Sequence, residues 1–418
     1  MRITAIETTR LKTQPNLLWV EIETDAGIIG LGETFRGAEA VETYIHSMAA
    51  PLILGQSALD IERLHKILLR GYLGFNGSGV ETRAASAIDI ALWDILGQVT
   101  GQPIYQLLGG ACHERMRAYN TCAGVDYNSK SIQRRLVQPG DAKVRHRYDD
   151  QIAFIESPGE LAQSLIEEGF SAMKIWPFDG AATESDGQYV SAKAMRQGLE
   201  VFEKIRLAVG DKIEVMCEFH SMWNVTSALA IARELKQYRP FWAEDPIKMD
   251  SPGALADYRR LGQIPVCGSE TLAAQGAFRD HLAAHALDYV MLDLSWCGGI
   301  TEARKIASLA DAYQKPIAPH DCTGPVVLMA SLHLGLASPN AIFQEVVRAF
   351  LSTFYKDLVT ELPVLENGYL LRPDKPGLGT ALAPGVTGEP AAATRRSTAA
   401  YHQDPYSVPA LADPDPLH

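Results

Sequence analysis

Glu218, Glu244 and Glu270 recur at intervals of 26 residues. Each closes a short apolar run: Ile213 to Glu218, Pro240 to Glu244 and Ile264 to Glu270. A run of that length, ending in a carboxylate and followed by a helical pattern, predicts the C-terminal tip of a barrel strand. Barrel enzymes draw their active-site residues from such tips. Three carboxylates converging there repel one another unless a cation holds them. All-oxygen ligands suit Mg²⁺, with Mn²⁺ as the alternative.

Four further polar residues keep the same register. They are Lys174 in Ala172-Met-Lys-Ile-Trp176, Asp293 in Val290-Met-Leu-Asp293, His320 in Pro316-Ile-Ala-Pro-His320, and Glu345 in Ile342-Phe-Gln-Glu345. From Glu218 to Glu345 the steps are 26, 26, 23, 27 and 25 residues. A single glutamate is usually a solvated charge, but packing does not explain one polar residue at every strand tip. His220 lies two residues after Glu218. Strand residues two apart face the same side, so His220 should look into the same cavity. Asp245 directly follows a ligand, should point away from it, and reads as a supporting carboxylate.

The elements that must carry these residues follow from the rhythm of the chain. Strand-like runs recur at 117–122, 172–176, 213–219, 240–244, 265–269, 288–293, 316–320 and 341–345, with helical segments between. That is the period of a βα repeat, and eight strands fit a TIM-like barrel. Residues 1–115 read as a separate α+β unit. It has a hairpin (17–23 and 28–33), helices near 38–50 and 58–70, a glycine-rich loop from Gly71 to Gly79, and a long helix from Glu81 to Gln98. The barrel should span 116–350. A basic insert, 128–150, reads either as a lid over the barrel mouth or as a solvated surface loop. Residues 351–383 should form a C-terminal segment returning to the capping domain, and 384–418, rich in Ala, Pro, Thr and Ser, reads as an extended or poorly ordered tail.

The bulk properties narrow the function. The chain has 418 residues, 47% of them apolar, and a net charge of −12. That charge argues against nucleic-acid and membrane-surface partners. No apolar window is long enough to span a bilayer, and the N-terminus reads as a strand and not a signal peptide. Six cysteines without a CxxC pair suggest reduced thiols in a cytoplasmic protein.

Together these motifs resemble the enolase superfamily, in its mandelate racemase branch. The resemblance rests on Gly30-Leu-Gly-Glu33, Ala87-Ile-Asp-Ile-Ala-Leu-Trp-Asp94, Trp242-Ala-Glu-Asp-Pro246, Gly268-Ser-Glu270, Cys297-Gly-Gly299 and Pro376-Gly-Leu-Gly379. It implies an α/β fold: a modified TIM-like (β/α)7β barrel, with an α+β capping domain completed by C-terminal segments. It also implies one Mg²⁺ on Glu218, Glu244 and Glu270, gripping the carboxylate of an acid substrate. Removing the proton beside a carboxylate puts two negative charges on the product of that step, so a divalent cation is chemically apt. Lys174 would add a second positive group. Members of this branch commonly assemble as dimers to octamers.

Within the branch, racemases carry Lys-x-Lys on the second strand. Here Trp176 takes the second lysine's place and can only pack, against the substrate or within the barrel. Asp293 and His320 resemble the family's Asp–His dyad, with His320 as general base. The resemblance makes His220 the acid for a departing hydroxyl. Glu345 would hydrogen-bond the substrate carboxylate, as a protonated acid. The expected reaction is dehydration of a sugar acid (an aldonate) to a 2-keto-3-deoxy acid. The alternatives are a sugar-acid epimerase or lactone cycloisomerase, and a non-catalytic metal-binding barrel. A mannonate-dehydratase-like variant would instead recruit Tyr148 and Arg147 from the insert. Relatives often have aspartate where Glu218 stands. Candidate substrate contacts are Trp176, Trp296, Asn16, Trp19, Phe75, Asn76 and Tyr148.

Overall fold

The computed structural model describes residues 1–69, 77–128, 147–388 and 392–399. Near the N-terminus, β1 (Ile3–Leu11), β2 (Gln14–Thr24) and β3 (Ile29–Phe35) form an antiparallel meander. The helix Val80–Thr100 lies across this sheet. Gly30 and Gly32 explain how it can lie so close. A Cβ on Gly32 would sit 1.8 Å from the Ala87 carbonyl oxygen, and one on Gly30 would sit 2.2 Å from that of Ala91. The Gly-Leu-Gly motif is therefore a packing surface for backbone.

Eight parallel strands then make the barrel: β4 (Arg115–Thr121), β5 (Ala172–Ile175), β6 (Glu214–Glu218), β7 (Ala243–Glu244), β8 (Val266–Gly268), β9 (Tyr289–Leu292), β10 (Ile317–Pro319) and β11 (Gln344–Val346). They pair in chain order. β11 returns to β4, and a parallel bridge from Ile317 to Ala341 completes the ring. Every strand after β4 is shorter than its apolar run suggests, and β11 begins three residues later than expected. Each apolar run includes approach segments outside the hydrogen-bonded ladder.

The barrel interior explains the spacing of the polar residues. Tyr119, Ala172, Met216, Trp242, Cys267, Met291, Ala318 and Phe343 form one closed cluster, to which every strand, or the residue just before it, contributes once. Two residues further on stand Lys174, Glu218, Glu244, Asp293, His320 and Glu345. Alternation along a strand places these two sets in successive tiers of the same interior.

The capping unit is bolted to the barrel mouth through buried carboxylates. Glu33 accepts from Trp19 Nε1 (2.7 Å) and from the backbone of Val326 and Val327 (3.2 and 3.0 Å), at the start of the helix Pro325–Ala337. Asp94 accepts from Leu31 N (3.0 Å) and Leu378 N (2.8 Å), joining hairpin, helix and C-terminal segment. On the same helix as Asp94, Ser86 and Asp89 accept from Gly298 N and Thr301 N of the barrel.

Two features of the C-terminal region depart from expectation. β12 (Leu365–Glu366) and β13 (Tyr369–Leu371) form a hairpin on the outer end of β4, so that stretch extends the barrel sheet. Part of the presumed tail, β14 (Ala392–Thr398), pairs antiparallel with β1 and completes a four-stranded capping sheet. Its Thr, Ser and Arg residues, read as part of an extended or poorly ordered tail, instead suit a largely exposed edge strand. Among the described residues no helix is long and apolar enough to cross a membrane.

The tight hairpin–helix contact yields a stability prediction. Gly32→Ala should destabilise the protein by about 3 kcal/mol, since neither backbone can give way. Gly276→Ala, in open space within a helix, should be neutral or stabilising by about 0.5–1 kcal/mol. Denaturation midpoints of the two variants decide this; equal midpoints would refute the packing argument.

Candidate active site

The three glutamates converge as their spacing requires. One carboxylate oxygen from each of Glu218, Glu244 and Glu270 lies within 4.8 Å of the other two, and all three residues are buried. β6 and β7 end on their glutamates, while Glu270 lies two residues past β8. The backbone turns sharply after two of them: His220, Ser221 and Asp245 adopt left-handed φ of 48°, 57° and 41°. Such conformations are uncommon for non-glycine residues and cluster at functional sites. Asp245 does turn away, accepting from Ser269 Oγ at 2.6 Å and Ser221 Oγ at 3.4 Å.

Lys174 is the positive counterweight. Its Nζ bonds to Glu244 and lies 2.9 Å from Glu345 Oε1 and 3.5 Å from Glu218 Oε2. Burial opposes its charge, but Glu244 and Glu345 hold the ammonium well above the usual lysine range. Burial raises Glu218 and Glu244 above the ordinary carboxylate range, and mutual repulsion adds to the effect at Glu244. Glu270 Oε2 is buried with no hydrogen-bond partner. An orphaned buried acceptor beside two other carboxylates is costly unless a cation takes it up. The donor set fits a hard divalent ion.

His320 and Asp293 form a dyad. Asp293 Oδ2 is 2.6 Å from His320 Nδ1, and its Oδ1 accepts from Ser295 N (2.7 Å) and Ser295 Oγ (2.5 Å). His320 Nε2 lies 3.8 Å from Glu345 Oε2. Burial works against the imidazolium, yet Glu345 and Asp293 outweigh it and push His320 up to about 10. The same contacts act on Glu345: burial raises its pKa, but Lys174 and His320 outweigh it and lower it, and its Oε2 accepts from Asp321 N at 3.2 Å.

His220 reaches the site by a route different from the one expected. β6 stops at Glu218, and His220 sits in the following turn, its backbone N–H 2.5 Å from Glu218 Oε1. Its Nδ1 is 2.7 Å from Asp179 Oδ2. Asp179 is buried at the start of the helix Asp179–Ser185, just past β5. Burial disfavours the charged ring, but Asp179 more than compensates and raises its pKa. The site thus holds two carboxylate–histidine pairs. Sequence reasoning missed the second because Asp179 lies off the strand register, in the loop Trp176-Pro-Phe-Asp179.

The candidate substrate contacts divide. Trp296 stacks on His320 with ring centroids 5.6 Å apart, and its Nε1 donates to the Phe35 carbonyl at 2.9 Å. Trp176 packs edge-on against His220, 5.6 Å away, and against Phe154 and Tyr127. Trp19 is fully buried in the capping unit with its indole spent on Glu33, so it holds the domain interface and not a ligand. Asn16 donates to the Asn128 carbonyl at 2.7 Å, and Asn128 to that of Thr323 at 3.0 Å, tying hairpin to barrel loops. Tyr148 lies over Arg348, whose guanidinium is bound by Asp150 at 2.7 and 2.8 Å. Arg147 stacks on the same ring; neither Arg348 nor Arg147 belongs to the catalytic cluster. Phe75, Asn76 and most of the 128–150 insert lie outside the described residues.

The carboxylate cluster predicts metal-linked stability. Millimolar Mg²⁺ should raise the apparent melting temperature and a chelator should reverse it, with about 2.7 kcal/mol gained at a hundredfold excess over Kd. Glu270→Ala should abolish the response. No shift in the parent with Mg²⁺ or Mn²⁺ would remove the metal site.

Comparison with known proteins places both domains in a family. Residues 3–109 match the mandelate racemase/muconate lactonizing enzyme N-terminal domain family. Residues 159–386 match the enolase C-terminal domain-like family. The chain is 32% identical over 386 residues to a D-galactonate dehydratase of Ralstonia nicotianae, covering 91% of each chain. It is 30% identical over 387 residues to a D-xylonate dehydratase of Haloferax volcanii, covering 91% of this chain and 86% of that one. A crystal structure of an enolase of the mandelate racemase subgroup from Agrobacterium tumefaciens, with a succinimide residue, superposes with a TM-score of 0.84. That pair is 49% identical over 96% of this chain and 99% of the other. With both domains matched, the chain belongs to the enolase superfamily, in its mandelate racemase branch.

Proposed function

We propose that this protein is a Mg²⁺-dependent dehydratase of a sugar acid, an aldonate, that yields a 2-keto-3-deoxy acid. The observation that carries this reading is the pair of carboxylate-bound histidines flanking one carboxylate cluster. The dehydratase relatives support the substrate class. Six cysteines without a disulfide support a reducing, cytoplasmic setting.

Glu218, Glu244 and Glu270 would hold the ion. Bound there, Mg²⁺ supplies Lewis-acid stabilisation of the charge that collects on the substrate's C1 carboxylate. Lys174 adds a fixed positive charge on the same side. Glu345, ionised and bound to Lys174, sets the orientation of the ammonium. Asp293 accepts the Nδ1 proton of His320, and a cation held by the glutamates would offset the carboxylate charge that favours the imidazolium, so that the neutral ring offers Nε2 to take the proton from C2. Trp296 fixes the plane of that ring by stacking. Asp179 holds His220 through Nδ1 and favours its protonated form, the state required to deliver a proton to the C3 hydroxyl as it leaves as water. The resulting enol then tautomerises to the ketone. Trp176 supplies a wall beside His220 and no second base, which disfavours racemisation through a second-strand lysine.

Incubation of the Mg²⁺-loaded enzyme with a panel of aldonates should give a keto acid that semicarbazide detects. His320→Asn should abolish both product formation and C2 deuterium exchange. Exchange without any keto acid would make the enzyme an epimerase, and no exchange on any acid would favour an inert barrel. Asp179→Asn tests the second pair. Elimination should fall by about 100-fold, in the range for loss of a positioned acid, while C2 exchange falls much less. Equal loss of both rates would assign Asp179 a merely structural role.

A further inference from the structure

The groups that hold His320 are themselves held from the capping unit. The loop after β9 runs Asp293-Leu-Ser-Trp-Cys-Gly298. It supplies two supports of the ring: Asp293 on Nδ1, and Trp296 stacked on its face. The end of β3 grips this loop at two consecutive positions. Thr34 Oγ1 donates to the Ser295 carbonyl at 3.0 Å, and the Phe35 carbonyl accepts from Trp296 Nε1 at 2.9 Å. Ser295 in turn donates to Asp293 Oδ1 through both its N–H and its hydroxyl. One path of contacts thus runs from Thr34 through Ser295 and Asp293 to His320. A second runs from Phe35 through Trp296 to the same ring.

The preceding residue of β3 braces the other side. Glu33 accepts from Val326 and Val327 at the start of the helix that follows β10, the strand leading to His320. Glu33, Thr34 and Phe35 are all buried, so these contacts form away from competing water. The far end of the β9 loop is tied to the capping unit as well: His65 Nε2 lies 3.0 Å from the Gly298 carbonyl, and Ser86 Oγ accepts from Gly298 N at 3.0 Å. Thr34 is the informative member of this set. Valine has nearly its shape, so the hydroxyl can be removed without emptying space, and what is lost is the bond to Ser295.

We propose that Thr34 is a positioning residue for proton abstraction: by fixing Ser295 it aims Asp293 at His320, so the base is correctly set only while the capping unit is docked on the barrel. The inference rests on His320 being the base in the sugar-acid reading above. Thr34 touches neither substrate nor the reacting atoms. Its effect is on the angle at which Nε2 meets C2, and a base displaced by a fraction of its reach loses much of its rate.

The test is the rate of C2 proton removal, read as deuterium uptake plus keto acid formed, in the Mg²⁺-loaded parent, Thr34→Val and Thr34→Ser. The probes are galactonate, xylonate and the other aldonates of the panel. Rates are expressed per Mg²⁺ site found by titration, so that misfolded enzyme does not count. Thr34→Val should lower kcat for proton removal by about 10–100-fold, with KM little changed, because the groups that hold the substrate carboxylate are untouched. Exchange and elimination should fall together, unlike in Asp179→Asn. Thr34→Ser keeps the hydroxyl and should recover most of the loss. An unchanged rate per site in Thr34→Val, a loss carried by KM alone, or a Thr34→Ser as slow as Thr34→Val would overturn the role of Thr34 and leave the dehydratase reading intact. Deuterium uptake by the parent without any keto acid would overturn the dehydratase reading, and the same comparison of variants then still decides Thr34. A parent that removes no C2 proton from any of the acids would overturn both.

Discussion

The structure depends on how much negative charge can be buried at the mouth of one barrel. Glu218, Glu244, Glu270, Glu345, Asp245 and Asp293 are all buried there. Lys174 and His320 are the cations set directly against them. Each carboxylate is tolerable only because its neighbours are placed to answer it. Asp245 is turned onto serine hydroxyls, Glu345 onto Lys174, and Asp293 onto His320 and Ser295. Removing any one partner would leave an uncompensated charge in a low-dielectric interior, a loss of about 3–5 kcal/mol. The site is therefore a single electrostatic unit, and the three glutamates are its most strained part.

The barrel can hold this unit because its interior is tiered. The apolar layer, with Trp242 and Phe343 among its members, seals the floor and excludes water from beneath the carboxylates. Low dielectric on that side strengthens every interaction above it. Trp242 links the tiers directly, donating from Nε1 to Glu244 Oε2 at 2.9 Å. The lid over this floor is the capping unit, held by acceptors such as Glu33 at a helix N-terminus, where a carboxylate is favoured.

The tiering also explains what could be read from the chain. Two places after six of the eight floor residues the chain enters the site, so Lys174, Glu218, Glu244, Asp293, His320 and Glu345 were legible from spacing alone. Asp179 comes from a loop, and no periodicity marks it. His220 was found through an alternation that the structure does not use, since the strand ends first. Trp19 was misplaced because a tryptophan in a capping hairpin looks the same in sequence whether it faces a ligand or a neighbouring carboxylate. The eight-strand ring followed from the repeat, but not the lengths of its strands. Strand length depends on where the chain leaves the ladder, and at Asp245 a left-handed φ decides it.

The last strand carries one more consequence. β14 pairs with β1, setting Thr8 against Arg395. On a ribosome, β1 emerges before the barrel and its outer edge does not meet β14 until the whole barrel has been made. At 5–20 residues per second that wait is roughly 20–80 seconds. For that interval the nascent chain displays an open edge of backbone donors and acceptors, the kind of surface that recruits other strands. The outward charges on β1, Glu7 and Arg10, lie on that waiting edge. The order of synthesis thus places β14 after the barrel, and β1 must remain soluble until it arrives.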